Sequence, residues 1–515
     1  MRLWFRLLLL TATVGSLVYL WFTPLPLGIP GEWTWLRVAP ESDLRWNLIG
    51  VAVAAALYVS FIEAGARQLQ AGSRSPIKLI AWLTGLVAVA FTWLWVVQES
   101  APIINRTGKS AFVLYYASSS GYFTKARYEN PNAGAFLSEY EGLMREGDVL
   151  HVGTHPPGLF LVFHGLIKLC QQCPWLAVID STQSASFREA CDVIARNNTR
   201  SIPPRLLLPI DRRVLWLATL LVMGAAAMTV LPLYWLLRRT VDASAAWRGA
   251  ALWPAIPAVA MFIPKSDVAY AFVGTLMVVA WLASTDRKSL ALAAVTGVLV
   301  WCGLMVSLAF LPVVLFMAIV GWKPSPAADN AASTTSTRRS GWITGAPSIA
   351  CVLAAMTGFV TPSLLLWWLC RINMISVWRL NYFNHAAFYA KYSRTYWMWL
   401  LENPIELAFS AGWPIFLLAV LFVATALRSR RSPAMPVVVG VVLVWGSLWL
   451  TGKNSGEVAR LWIVFLPWLV WLAGLQMSAL DRQCSRKWFR TATAILAVQL
   501  VVCALTVVRV SGFEQ

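Results

Sequence analysis

The chain alternates long apolar runs with short polar links. The runs lack the every-second-residue alternation of barrel strands, so they read as helices. A helix needs about 20 mostly apolar residues to cross the hydrocarbon core. On that scale the pattern predicts spans at 4–23, 46–65, 77–97, 212–236, 245–263, 267–284, 289–304, 306–322, 343–369, 407–427, 434–451, 460–478 and 489–509. Leu290–Trp322 and Trp342–Cys370 contain no charged residue. The expected fold is an all-α polytopic membrane protein with about 13 transmembrane helices and a large extracytoplasmic loop at 99–211. Dividing 289–322 into two helices matters, because one long helix there would reverse every later crossing.

Charge tests this threading. With the N-terminus cytoplasmic, the inside links are Arg67–Lys78, Arg238–Arg248, Asp286–Lys288, Lys323–Arg339, Arg428–Arg431 and Asp481–Arg490. Each has more Lys and Arg than Asp and Glu, as the positive-inside rule requires. Loop 99–211 balances ten acidic against ten basic residues. Loop 371–406 is the exception, with four basic residues against Glu402 and Glu406. Met1–Leu20 carries Arg2 and Arg6 before an apolar run, but no small-residue cleavage site precedes Thr23–Pro30, so it reads as an uncleaved first span. Four segments follow: an N-terminal helix pair at 1–76, a membrane core at 77–322, a flexible Ala/Ser/Thr-rich linker at 323–341, and a C-terminal block at 342–515 containing loop 371–406.

Composition agrees. Only 13% of the 515 residues are charged and 58% are hydrophobic, where a soluble domain has roughly 25% charged. The 29 tryptophans suit membrane–water boundaries. The net charge of +19 does not point to nucleic acid, because the basic residues sit in links between spans and form no separate stripe with aromatics. Cys170, Cys173 and Cys191 share the outside loop, where one disulfide is an option. Cys302, Cys351, Cys370 and Cys503 read as small hydrophobes in spans.

All four histidines, His151, His155, His164 and His385, fall in loops 99–211 and 371–406. Titratable groups therefore gather on one face. The sharpest segment is Gly147-Asp148-Val149-Leu150-His151-Val152-Gly153-Thr154-His155-Pro156-Pro157-Gly158, before the apolar stretch Leu159–Leu169. Prolines suit a helix's first turn, and a helix N-terminus attracts anions. His155 beside it would add a donor for a phosphate. The bland alternative is an interfacial helix without a ligand. His151 and His155 have the four-residue spacing of a metal pair, but Gly153 between them and Pro156 after them oppose one helix through both. A divalent metal stays an open expectation.

Thr154-His155-Pro156-Pro157-Gly158, preceded by Glu146-Gly147-Asp148, resembles the first outside loop of the GT-C glycosyltransferase superfamily. The resemblance is to its protein O-mannosyltransferase and aminoarabinose-transferase branch. Trp253-Pro254 to Phe262-Ile263-Pro264-Lys265-Ser266-Asp267 resembles that branch's second outside turn. Asn381–Asn403, with His385, Arg394, Tyr396 and Trp397, resembles its later facing loop. Gly456-Glu457-Val458-Ala459-Arg460-Leu461-Trp462 resembles a motif of bacterial members. The likeness covers roughly 77–480, leaving the first two spans as an addition.

The resemblance implies transfer of a sugar from a polyprenyl-phosphate-linked donor to an unidentified acceptor, and the compact spans and basic inside links suit a bacterial inner membrane. It implies a carboxylate as base or orienter at the position that aligns with Asn132. Asn cannot take a proton, so Glu129 and Glu139 are the substitutes. His155, His385 and Arg394 are the expected donor-phosphate ligands. Asp267 is expected to orient the sugar or a cation, and Asp148, Tyr396, Glu457 and Arg460 are further site candidates. Glu457 and Arg460, three apart, also suit a simple ion pair. A lipid-linked glycan transporter or flippase, a polysaccharide ligase or polymerase, and a non-catalytic scaffold remain as alternatives.

Overall fold

The computed structural model describes residues 3–41, 43–71, 75–147, 152–198, 206–322, 347–429, 432, 434–483 and 488–512. Asp148, His151 and the linker 323–341 lie outside them. The described chain is overwhelmingly helical, and its strands are two antiparallel pairs of two residues each: Gly28–Ile29 with Trp33–Thr34, and Leu36–Arg37 with Val510–Ser511. Among the described residues, eight helices are long and apolar enough to cross a membrane: Trp4–Phe22, Leu44–Gln70, Pro76–Glu99, Pro209–Arg238, Ser266–Arg287, Ile349–Cys370, Ile463–Leu480 and Thr491–Arg509. Tyr396–Ala411 and Trp413–Ser429, bent by 116° at Gly412, form a ninth if taken as one span. Leu290–Val306, Leu308–Gly321 and Met435–Leu450 are apolar but shorter.

The chain turns back at Ser307, whose backbone is extended. Gly303 abuts Met277 and Gly321 abuts Trp281, both on Ser266–Arg287. Leu290–Val306 therefore runs antiparallel to that span and Leu311–Gly321 runs parallel to it. The 289–322 stretch is two helices.

The expected span 245–263 is different. It divides into the helix Ala243–Ala250, a 3-10 turn Trp253–Ala255 and a short helix Pro257–Met261, all buried. Pro254 and Pro257 each lack an N–H and interrupt the ladder. The carbonyls this frees lie in an apolar interior, where each needs a donor. Side chains of other helices supply them. Tyr58 donates to Ala251 O at 2.9 Å, Trp93 to Pro254 O at 3.1 Å, Gln499 to Ala255 O at 2.9 Å and Lys109 to Met261 O at 2.9 Å.

Small residues set the closest crossing. A Cβ on Gly297 would lie 1.9 Å from Ala355 O, and one on Gly358 2.0 Å from Ala294 O. Backbone thus meets backbone between Leu290–Val306 and Ile349–Cys370, as small residues permit in membranes. One core runs from Phe5 and Tyr58 to Val507 and Val510. The four sequence segments therefore share one core, and the 1–76 pair packs against the bundle with one face while most of its surface stays exposed. Loop 99–211 has its own core of Phe123, Phe136, Tyr140, Phe160, Phe163 and Phe187, which also takes in Met374 and Val377 of loop 371–406. The two loops form one folded cap at one end of the bundle. Cys170, Cys173 and Cys191 are free thiols there. The opposite end holds the Arg239–Asp286 pair and the buried pair Arg248–Glu63 at 3.2 Å.

Candidate functional site

Beneath the cap, the broken segment delivers Lys265 to the residue before Ser266–Arg287, and Asp267 to that helix's first turn. An acid there suits the helix dipole. Lys265 Nζ donates to Ser119 O of the cap. Burial, reinforced by the positive charge of Arg460, pushes the Lys265 ammonium down to about 8, with Asp267 and Glu457 opposing. Arg460 meets Glu457 at 2.8 Å, and its Nε is buried without a partner. Asp267, Glu457, Tyr122 and Tyr270 all lie within electrostatic range of that guanidinium. Tyr270 and Ser266 share a hydrogen bond of 3.0 Å.

The Arg460 turn is held by an unusual backbone. Gly452, Asn454, Gly456 and Glu457 all have positive φ, at 66°, 63°, 77° and 59°. Glu457 bears the strain least easily, because a long side chain rarely adopts the left-handed region. The buried Glu406 carboxylate fixes the turn, accepting from Ala459 N at 3.2 Å and from Trp35 Nε1 at 3.1 Å.

The Pro-Pro motif stands on the other side. The helix Gly158–Gln172 starts directly after Pro157, as the sequence suggests. Gly158 is required by packing, since a Cβ there would lie 2.3 Å from Met305 O. His155 Nδ1 is 3.1 Å from Thr154 Oγ1, and its carbonyl accepts from the Tyr140 hydroxyl at 2.6 Å. Its ring meets Tyr122 edge-on, with centroids 5.8 Å apart. Tyr122 thereby joins the His155 motif to the Arg460 cluster.

Loop 371–406 supplies the third wall. Asn384 Nδ2, on Met374–Lys391, donates to Met144 O at 2.9 Å and Gly153 O at 3.0 Å, pinning the chain that leads into the motif. Burial lowers the pKa of the neighbouring His385, with the charge of Lys453 adding to it. Lys453 itself lies 5.1 Å over the Tyr382 ring. Tyr396 donates to Leu450 O at 2.7 Å. Arg394 packs beside Gly456, next to Glu457, and donates from Nη1 to the Glu32 carbonyl.

Of the candidates read from the sequence, His155, Asp267, Glu457 and Arg460 come together, with Arg394 and His385 on the adjoining wall. Asn132 caps the helix Ala133–Arg145, its side-chain oxygen accepting from Gly134 N at 2.9 Å and Ala135 N at 3.2 Å. Glu129 pairs with Lys125 at 3.0 Å and Glu139 is exposed on that helix. Sequence reasoning missed Lys265, Tyr122, Tyr270 and Glu32 as site residues. Among the described residues no group of three or more His, Cys, Asp or Glu could hold a metal. Clefts of about 360 and 800 Å³ lie elsewhere, along the first span and between Leu44–Gln70 and Thr491–Arg509. No protein-family model matches the chain, and no curated protein or solved structure matches it.

Proposed function

We propose that the protein is a membrane glycosyltransferase of the GT-C kind, moving a sugar from a polyprenyl-phosphate carrier to an acceptor on the extracytoplasmic face. The observation that carries this reading is the convergence of Lys265, Asp267, Glu457 and Arg460 with the Tyr122–His155 pair, under a folded cap at one end of an apolar bundle. In this reading the chain crosses a bacterial inner membrane thirteen times, with its N-terminus cytoplasmic and the cap outside. An amphipathic donor would lie with its tail among the spans and its phosphate at the cation-lined mouth.

The acceptor hydroxyl attacks the anomeric carbon as the bond from that carbon to the phosphate oxygen breaks. The hydroxyl proton passes to a carboxylate, and of the two beside the cations Asp267 takes it, because Glu457 is already paired with Arg460 at 2.8 Å. Glu129 and Glu139 face solvent from the cap. Negative charge growing on the departing polyprenyl phosphate is met by Arg460 and Lys265, held in place before reaction. His155 and Tyr122 wall the sugar side.

The test is purified protein with a panel of lipid-linked sugars and acceptors. Acceptor-dependent release of polyprenyl phosphate is expected, lost in Asp267→Asn and Arg460→Gln. Lipid-linked sugar crossing proteoliposome bilayers without any bond cleavage would refute the transferase reading in favour of a flippase.

A further inference from the structure

Arg394 does not face an empty recess. It stands at the N-terminus of Tyr396–Ala411, and an anion from elsewhere in the chain is already seated there. The Glu32 carboxylate accepts from Thr395 N at 3.0 and 2.9 Å, from the Thr395 hydroxyl, and from Trp399 Nε1 at 2.7 Å. Arg394 Nη1 holds the Glu32 carbonyl, and its Nε is buried without a partner. Burial raises the Glu32 carboxyl, but the bonds from Thr395 and Trp399 and the Arg394 charge outweigh it, leaving the group below the usual carboxylate range. The site therefore favours a negative charge. Its donors are a helix-terminal N–H, a hydroxyl, an indole N–H and a guanidinium, which suits phosphate oxygens as well as a carboxylate.

The hairpin that brings Glu32 is anchored independently. Gly28 N donates to Glu402 at 2.8 Å, Trp35 Nε1 donates to Glu406 at 3.1 Å, and Leu36–Arg37 pairs with Val510–Ser511. Only the Glu32 side chain, partly open to solvent, has to turn away to vacate the anion site.

We propose that Thr395, Trp399 and Arg394 form an entry site for phosphate that Glu32 occupies as an internal competitor, and that the phosphate of a polyprenyl-phosphate substrate displaces it before reaching Arg460 and Lys265. The proposal rests on the transferase reading for the identity of the phosphate. Glu32 then acts as a gate, setting substrate affinity through the occupancy of this site.

The experiment uses full-length protein in detergent with farnesyl phosphate as probe, farnesol as the phosphate-free control, and affinity read by microscale thermophoresis. Glu32→Gln, nearly isosteric and uncharged, should tighten farnesyl phosphate binding about tenfold, equivalent to about 1.4 kcal/mol, with farnesol unchanged. Arg394→Gln should weaken it about tenfold, and the double variant should resemble Arg394→Gln. Equal or weaker binding by Glu32→Gln, or no phosphate-dependent binding at all, overturns the proposal. If Arg460→Gln abolishes binding while Glu32→Gln changes nothing, the gate fails and the transferase reading stands. If Glu32→Gln tightens binding but no donor is ever cleaved, the gate stands and the transferase reading fails.

Discussion

Gly158→Ala separates a packing glycine from a helix-breaking one by the sign of its effect. In a first helical turn Ala is normally better than Gly, by up to about 1 kcal/mol. Here the new Cβ would lie 2.3 Å from Met305 O and 2.7 Å from its carbonyl carbon. Both are backbone atoms of the helix Leu290–Val306 and cannot rotate aside. The Gly158–Gln172 helix must retreat by roughly 1 Å, an overpacking that costs about 1–3 kcal/mol. The net expectation is a loss of about 1–2 kcal/mol, with the retreat pulling His155 from the Tyr140 hydroxyl, now 2.6 Å from its carbonyl. Gly165 lies on the same helix with nothing within 4 Å of an added Cβ, so Gly165→Ala should raise stability by the ordinary propensity gain. Thermal denaturation of both variants in detergent, followed by size-exclusion, reads the two signs. Farnesyl phosphate affinity should fall in Gly158→Ala alone. A melting temperature that rises in both variants would refute the close-packing argument and return the Pro-Pro-Gly sequence to simple helix initiation.

In the proposed mechanism Lys265 meets phosphate as an ammonium, so farnesyl phosphate affinity should fall as pH rises through about 8. Its folded pKa lies below its ordinary value of 10.5, so the unfolded chain binds the extra proton between those limits and stability rises with pH there. Lys265→Met should flatten both profiles, read by titrating affinity and melting temperature from pH 6 to 10. Gly358→Val should abolish folded yield, because its Cβ would meet Ala294 O at 2.0 Å. Gly446→Val, in open space, should express normally, and equal yields would show that the crossing is not tight. Asn132→Ala should cost about 1 kcal/mol through the lost helix cap, with Asn132→Asp restoring it. A loss of sugar transfer by orders of magnitude at unchanged melting temperature would instead make Asn132 a participant in the chemistry.

Among the described residues eight of the thirteen expected spans are helices long and apolar enough to cross a membrane, legible because hydrocarbon thickness leaves a direct imprint on sequence, and the Ser307 reversal follows from the alternation of charge. The break within 245–263 is not legible, since a fractured interior segment has the same apolar composition as a straight one. Pro254 and Pro257 are its only local sign. At the site, Asp267, Glu457 and Arg460 can be found because each sits in a compact motif at a span mouth. Lys265 escapes notice because a lysine beside a span reads as topology. Tyr122 carries no spacing signal, and Glu32 acts on Thr395 across 363 residues, a separation that local pattern cannot bridge. Asn132 is legible by another rule: Asn before a helical stretch is a common N-cap, which the family resemblance obscures.

The placement of the cluster explains why irregular backbone flanks it. Straight helices rising from a bilayer end at similar heights with their side chains pointing outward around each axis, so several charges on different helices do not readily aim at one point. The fractured segment 251–264 and the left-handed turn 452–457 escape that limit, bringing Lys265 and Arg460 toward Asp267 from two directions. Left-handed non-glycine residues such as Asn454 and Glu457 cost of order 1–3 kcal/mol each, so the turn persists only if its surroundings fix it. Glu406 and Trp35 do so from the N-terminal hairpin side, and the Glu457–Arg460 pair does so from within. The link between the first two spans, which the sequence presents as part of an appendage, therefore supplies part of the restraint on the Arg460 turn. A chain lacking the hairpin should lose anion affinity at Arg460 even with every cluster residue intact.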